Sequence, residues 1–421
     1  MDVNLAYGRG QVTVSLPGDI TRVIHPSHLP GLRDERKSLI EALKAPIQSE
    51  PLLKQIRPDD HIVITFTDIT RATPNERLIP WILEHLGDHP KDQITLINQL
   101  GTHRPNTRAE LEMMLTPEVV ANYRVINHDC EDESKLVQVG TTTTGAPALL
   151  NKTALDADLR IVTGFIEPHF FAGFSGGPKG LMPGVAGLKT VMSNHGAHHI
   201  NDPNSTFGIT HGNPLWEELL RIAKLAGPSF LVNVTLNEER DITGVYAGDL
   251  EEAHREGCKV VRQSAMQDVD EPFDIVITTN SGYPLDMNLY QGVKGMSAGA
   301  RILKEGGLLI LACECEEGVP SGSPMDQLLR EALSPEELLT MMASPGFERP
   351  EQWQAQIQAL VQRKADVRVF CSLPDETLLA AHLTPCHDIS KTVEEHLSTL
   401  GNDARIAVLP QGPLTIPTLS P

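Results

Sequence analysis

The chain has 421 residues, 40% hydrophobic and 21% charged, enough to bury a large core in two or three domains and too balanced for an extensively disordered protein. A formal net charge of -20 repels phosphate backbones and anionic membrane surfaces, and an aromatic share of 4% leaves little for base stacking, so nucleic-acid and membrane partners are excluded. The opening residues MDVNLAYGRGQVTVSL lack a basic start and an apolar core, and no run of about 18 apolar residues occurs, which predicts a cytoplasmic protein.

Short runs rich in Val and Ile alternate with helical patterns along the chain. HIVITFTD (61–68) reads as a strand, NERLIPWILEHLG as a helix, QITLINQLG (93–101) as a strand, TRAELEMMLT as a helix and LRIVTGFIE (159–167) as a strand. VAGLKTVMSNHGAHH allows one continuous helix, and PLWEELLRIAKLAG reads as another. DIVITTNS (274–281), GLLILACE (307–314), the Gln-rich helix EQWQAQIQALVQRK and DVRVFCS (366–372) follow. This alternation predicts an α/β protein of two domains, each with a mostly parallel sheet flanked by helices. The polar, acidic MQDVDEPF (266–273) sets the boundary, giving an N-terminal domain over 1–270 and a C-terminal α/β domain over 271–403. The closing RIAVLPQGPLTIPTLSP reads as one strand and a proline-rich tail; 404–421 either closes the second domain or returns to the first.

Six cysteines, Cys130, Cys258, Cys313, Cys315, Cys371 and Cys386, show no CxxC pair and read as reduced, mostly buried thiols. Cys313 and Cys315 share one face of a strand, a hint of a thiol metal site and no more.

The stretch EPHFFAGFSGGPKGLMPGVAG (167–187) sets a histidine, a glycine pair and a lysine within a few residues. A phosphate-binding loop would require GxxxxGK followed directly by Ser or Thr, and neither GFSGGPKG nor GVAGLKT conforms. Glycines nevertheless permit close backbone approach, and Pro178 and Pro183 stiffen the path, so the loop reads as built to hold Lys179 against something bulky. In SNHGAHHI a helix would place His195, His198 and His199 on one face, which permits a metal as well as a merely polar helix end. His103 and His169 each follow a strand-like segment, as does the DITR of Asp68 to Arg71, and strand ends are where α/β sheets collect ligand sites.

FTDITRATP, LGTHRPNT, GFIEPHFFAGFSGGPKGLMPGVAG, SNHGAHH and GYPLDMNLYQGVKG, in this order, resemble the lactate racemase family of nickel-pincer-nucleotide-dependent 2-hydroxyacid racemases and epimerases. The resemblance implies a pyridinium mononucleotide bearing two thio-carboxyl groups and nickel. Lys179 matches the lysine that joins this cofactor covalently as a thioamide, and His195 the nickel ligand. Two sulfurs, one carbon and one imidazole nitrogen suit square-planar nickel. Gly176 and Gly177 are expected against the cofactor, and Phe171 against its ring.

The implied chemistry moves hydride from substrate C2 to the pyridinium carbon and back, through a planar 2-oxoacid. His103 and His169 match the pair of acid/base groups that racemisation needs, one on each side of the substrate. Arg71 and Lys294 match positions that hold the substrate carboxylate, with Gln291 as polar partner and Asp68 as orienting carboxylate. For Arg71 the alternative is an ion pair with Asp68. Tyr290 and Trp353 are expected to wall the pocket; they and Phe171 read equally as plain core. The resemblance thus places the active site in the interdomain cleft. It assigns nothing to His198 and His199, which stay structural.

Lactate is the expected substrate. Malate, a longer-chain or a sugar acid is the alternative, and Arg104 is the candidate cation for a second carboxylate. Loading implies transient contact with the enzymes that make the cofactor. Two other classes compete: a non-catalytic carrier of the nickel cofactor, which would need only Lys179 and His195, and a zinc hydrolase built on the three clustered histidines, which would leave Lys179 without a purpose.

Overall fold

The computed structural model describes residues 1–419 other than 321, 345 and 402. The chain forms two compact units. The central unit comprises His28–Glu167 and Phe171–Arg262; the terminal unit comprises Met1–Ser27, Pro168–Phe170 and Gln263–Pro421.

The central unit is built on a six-stranded sheet in the order Ile242–Asp249, Ser229–Leu236, Leu159–Phe165, Ile62–Thr67, Ile94–Gln99, Arg124–Asn127. Only the Ser229–Leu236 and Ile242–Asp249 pair is antiparallel. Every residue of Leu159–Phe165 is buried, as expected for a parallel strand covered on both faces. One face packs Ile62, Ile64, Phe66, Leu96, Ile161, Phe230 and Val232 against Leu78, Ile79 and Ile82 of helix Asn75–Leu86. From Ile62–Thr67 the chain builds outward through Ile94–Gln99 and Arg124–Asn127. It then returns to add Leu159–Phe165 on the other side. The order therefore reverses between Ile62–Thr67 and Leu159–Phe165, and such a switch point opens a crevice beyond the strand ends.

The terminal unit has its own six-stranded sheet, ordered Thr384–Pro385, Asp366–Phe370, Leu303–Ala312, Phe273–Thr279, Ile406–Leu409, Thr21–Val23, and every pair is parallel. The hairpin of Asp2–Tyr7 and Gly10–Ser15 supplies Val3, Leu5 and Val14 to a core with Ile275, Ile277, Leu308 and Ile310. Residues 1–27 thus pack with the terminal unit, not with the segment that follows them, because Thr21–Val23 pairs with Ile406–Leu409. The proline-rich tail also holds a second strand, Ile416–Leu419. It pairs in parallel with Met266–Val269, so the stretch expected to mark the domain boundary begins as a strand. Among the described residues no helix is long and apolar enough to cross a membrane.

Candidate active site

Three adjacent strands of the central sheet end in charged or titratable side chains. Asp68 and Arg71 follow Ile62–Thr67, His103 follows Ile94–Gln99 and Glu167 follows Leu159–Phe165. Asp68 is buried; Thr70 donates to its Oδ1 from both N–H (3.0 Å) and Oγ1 (2.7 Å), and its Oδ2 pairs with Nδ1 of His103. Burial alone would push the Asp68 carboxyl up. The charge and hydrogen bond of His103, then Arg71 and Thr70, outweigh it and hold the carboxyl well below the usual carboxylate range.

Arg71 takes a different partner from the one weighed in the sequence. Its Nη1 lies 3.8 Å from Oε1 of Glu167, across the switch point, while Asp68 pairs with His103. Glu167 is buried and held through its backbone, its N–H donating to Ser175 Oγ (3.1 Å) and its carbonyl accepting from Ser175 N–H (2.9 Å).

The glycine loop explains itself locally. Gly176 and Gly177 have φ of 74° and 57°, in the left-handed region that disfavours side chains. A Cβ on Gly176 would stand 2.5 Å from Asn233 Oδ1, and one on Gly177 2.5 Å from His254 Cγ. Asn233 Oδ1 also accepts from Gly177 N–H at 2.6 Å, and His254 Nε2 donates to the Ser175 carbonyl at 2.8 Å. The side of these two glycines where a Cβ would project is therefore taken by the protein itself. The short turn Gly177–Gly180 that follows presents Lys179.

Lys179 keeps part of its surface exposed, but its amine is sunk among charges. Burial, then the nearby Arg71 guanidinium, lower it from 10.5 to about 7, with Glu167 opposing. Phe171 stands beside it: Lys179 Nζ is 5.8 Å from the ring centroid, and the His195 ring meets the same phenyl edge-on at 5.0 Å. Burial, then Lys179 and His199, push the His195 imidazole well below its ordinary value, so it stays neutral.

The expected continuous helix through the histidines does not form. Helix Leu188–Asn194 ends with His195 as its C-cap, Gly196 turns the chain, and Ala197–Ile200 is a separate turn. His195, His198 and His199 consequently do not share one helical face. His199 Nδ1 donates to the Asn194 carbonyl (2.8 Å), and Asn194 Nδ2 donates to Glu218 Oε2 (3.0 Å), which fastens the residue preceding His195. Among the described residues no three His, Cys, Asp or Glu side chains gather as a metal site.

Of the other expected residues, all but Arg104 belong to the terminal unit. His169 is buried in the short strand Pro168–His169, its ring 4.9 Å from that of Phe170. Helix Leu289–Ala300, capped by Asn288, carries Tyr290, Gln291 and Lys294. Lys294 Nζ donates to Gln291 Oε1 at 2.6 Å, and Trp353 Nε1 donates to the buried Tyr290 hydroxyl at 3.0 Å. Arg104 is engaged bidentately by Glu110, at 2.9 and 2.7 Å.

Sequence reasoning gave no role to Glu167, Asn233, His254, Asn194 or Glu218. Glu167 carried the same strand-end signal as His103 and was legible. The others act through contacts distant in sequence, and no local pattern announces them.

A doubly wound α/β unit with a charged cluster at its switch point is an architecture that binds and transforms small ligands. Residues 7–208 match the lactate racemase N-terminal domain, and residues 269–416 match the lactate racemase C-terminal domain. The chain belongs to the lactate racemase family, whose named members are isomerases. It is 33% identical over 419 residues to lactate racemase of Thermoanaerobacterium thermosaccharolyticum, covering 98% of both chains. It is 36% identical over 383 residues to that of Lactiplantibacillus plantarum, covering 90% of both. The solved lactate racemase apoprotein from T. thermosaccharolyticum superposes with a TM-score of 0.90 at 32% identity, over 99% of this chain and 100% of that one. A crystal structure of a Thermotoga maritima protein, 20% identical with a TM-score of 0.71, shares the fold over 93% of this chain and all of that one.

Proposed function

We propose that this chain racemises a short 2-hydroxyacid, lactate foremost, with a nickel-pincer nucleotide joined to Lys179 and ligated by His195. The observation that carries this reading is the Lys179 amine, held near neutrality beside Arg71, Glu167 and a neutral His195. An amine that is partly unprotonated at neutral pH is a nucleophile competent to form a thioamide, and a neutral imidazole offers a lone pair to nickel. These residues fit the group. When bound, it supplies reversible acceptance of hydride from substrate C2, the substrate passing through a planar 2-oxoacid.

The remaining work falls to side chains. Arg71 binds the substrate carboxylate, with the Glu167 carboxylate 3.8 Å from its guanidinium as the group the substrate must compete with. His103 donates through Nδ1 to Asp68, so Nε2 is the nitrogen that exchanges a proton with the 2-hydroxyl oxygen. Asp68 remains ionised and stabilises the imidazolium that forms. His169 is assigned the proton on the opposite face of the substrate. Lys294 with Gln291 is assigned the carboxylate, and Tyr290 and Trp353 the pocket wall; these roles rest on the family resemblance. Loading entails transient contact with the enzymes that make the nucleotide. The names of the relatives support lactate, and the engagement of Arg104 by Glu110 favours a monocarboxylic acid.

The test is to co-express the chain with the cofactor-making enzymes and measure intact mass, nickel content and the chirality of lactate after incubation. A nucleotide adduct on Lys179, about one nickel per chain and conversion of either enantiomer to a mixture are expected. A loaded chain that leaves every 2-hydroxyacid unchanged would favour a carrier. A chain whose adduct survives Lys179→Ala would overturn the attachment.

A further inference from the structure

The geometry points to Asn106 as a positioning residue for His103, tying the Asp68 loop to the His103 loop through a cluster it forms with Asn98 and Asn127. The inference rests on the reading of His103 as an acid/base group. The ladder between strands Ile62–Thr67 and Ile94–Gln99 ends where Thr67 stands opposite Gln99. Asp68 and His103 lie beyond that point, on loops the ladder no longer joins, while proton transfer requires the imidazole to be held in a fixed place.

Asn106 continues the tie with its side chain. Its Oδ1 accepts from the N–H of Ile69, the residue after Asp68, at 3.3 Å, and from Nδ2 of Asn98 in strand Ile94–Gln99 at 2.8 Å. Asn98 Nδ2 donates also to Oδ1 of Asn127, the last residue of strand Arg124–Asn127, at 3.0 Å. Asn127 in turn holds the Asn106 backbone at both its polar groups: Oδ1 accepts from Asn106 N–H at 3.4 Å, and Nδ2 donates to the Asn106 carbonyl at 2.9 Å. Asn106 Nδ2 donates to Glu110 Oε2 at 3.3 Å, within the capping box of helix Arg108–Leu115. Each amide has one orientation that fits, because turning any of them over would set donor against donor or acceptor against acceptor. Asn98 and Asn106 are buried, so water does not stand in for these bonds.

The consequence falls on the Asp68–His103 pair. Thr70 fixes Asp68 Oδ1 from within the same loop, which leaves the Ile69 peptide as the handle that sets this loop against its neighbour. Asn106 grips that handle and sits on the His103 loop, where His103 N–H donates to the Leu100 carbonyl at 2.9 Å. Asp68 Oδ2 and His103 Nδ1 therefore meet in a place set by the asparagine cluster as well as by their own attraction. With the Nδ1 proton held on Asp68, the lone pair stays on Nε2.

The experiment treats the unloaded, full-length chain with diethyl pyrocarbonate, which carbethoxylates an unprotonated imidazole nitrogen, and follows His103, whose side chain is 21% exposed, by peptide mass mapping. Asp68→Asn sets the benchmark: it removes the acceptor that keeps the lone pair on Nε2, and His103 should react more slowly. Asn106→Ala should slow His103 in the same direction, leave the exposed His387 unchanged, and add nothing in the Asp68→Asn background, as residues acting through one another do. In the loaded chain Asn106→Ala should lower kcat by roughly 100-fold at most, the scale of a small misplacement, with KM and adduct mass retained. An unchanged His103 rate in Asn106→Ala would overturn the proposal, as would losses that multiply in the double variant. A loaded, unsubstituted chain that racemises nothing would instead overturn the reading of His103, and the carbethoxylation rates would still decide whether Asn106 positions it. Should Asn106→Ala fail to fold, hydrogen exchange of the Ile69 amide in the unsubstituted chain decides: protection upholds the tie, and exchange at the rate of an open amide overturns it.

Discussion

The two sheets of this protein share a plan and differ in what they place at its most useful point. Each has six strands and reverses its order once, between Ile62–Thr67 and Leu159–Phe165 in the central unit and between Phe273–Thr279 and Ile406–Leu409 in the terminal unit. Beyond the central switch point stand Asp68, Arg71, His103 and Glu167. Beyond the terminal one the strand ends are neutral and tied to backbone: Thr279 Oγ1 donates to the Pro410 carbonyl at 3.0 Å, and Asn280 Oδ1 accepts from Gly295 N–H at 3.2 Å. Strand order creates the opportunity for a site in both units. Side-chain type makes the difference: Asp68, Arg71, His103 and Glu167 follow the central strands, while Thr279 and Asn280 stand at the terminal switch point and Cys313, Glu314 and Cys315 follow the next strand.

If the central strand ends do the chemistry, His103→Ala should produce the largest loss. Removal of a positioned acid/base group costs roughly 10²–10⁴ in kcat, and the loaded chain should keep its cofactor mass and its fold. Chiral analysis of lactate with intact mass on the same sample reads both. An equally deep loss from Asn280→Ala, with the fold preserved, would erase the contrast between the two sheets. Arg71→Ala should follow, with kcat/KM falling roughly 10- to 100-fold, the scale of a charge-assisted hydrogen bond worth about 1.5–3 kcal/mol. Most of that loss should appear in KM.

The Lys179 amine offers a test on the unloaded chain. It releases its proton near 7 in the folded state and near 10.5 when unfolded, so between these values the native state binds fewer protons and stability rises with pH. Lys179→Met should therefore stabilise the protein most below pH 7, and its advantage should shrink toward pH 10.5. Denaturant midpoints across that range check the sign. An advantage that does not change with pH would mean the amine is not depressed.

Much of this was legible because it is local. Strands such as Ile62–Thr67 and Leu159–Phe165 announce themselves by apolar runs, and strand ends pointed to Asp68, Arg71 and His103 before any fold was known. What stayed hidden depends on long-range pairing. Nothing near residue 21 says that Thr21–Val23 will border Ile406–Leu409, and nothing near Gly177 says that Asn233 and His254 will occupy the space of its missing side chain. The helix expected through His195 failed at Gly196, a residue whose cost inside a helix is about 1 kcal/mol and which the neighbouring helical pattern outweighed on paper. The family resemblance supplied roles for Lys179 and His195, while the burial and the neighbouring Arg71 that lower the Lys179 amine are assembled only by the fold.

Glu167 gives the smallest effect and the sharpest one, because it faces two cations with opposite consequences. Its carboxylate stands 3.8 Å from Arg71, where it competes with a substrate carboxylate, and it also raises the Lys179 amine against burial and Arg71. Glu167→Gln keeps the shape and removes the charge. Arg71 then meets substrate without a rival, so KM should fall roughly two- to fivefold with kcat little changed, the scale of an ion pair worth up to about 1 kcal/mol. In the unloaded chain the Lys179 amine loses the favourable charge of Glu167, so its proton should leave below the present value of about 7. Reductive methylation of Lys179 followed by mass spectrometry should accordingly show its pH midpoint moving down. A lower KM with an unmoved midpoint would confine Glu167 to Arg71. A moved midpoint with unchanged KM would show that Glu167 serves the attachment lysine and that Arg71 needs no keeper.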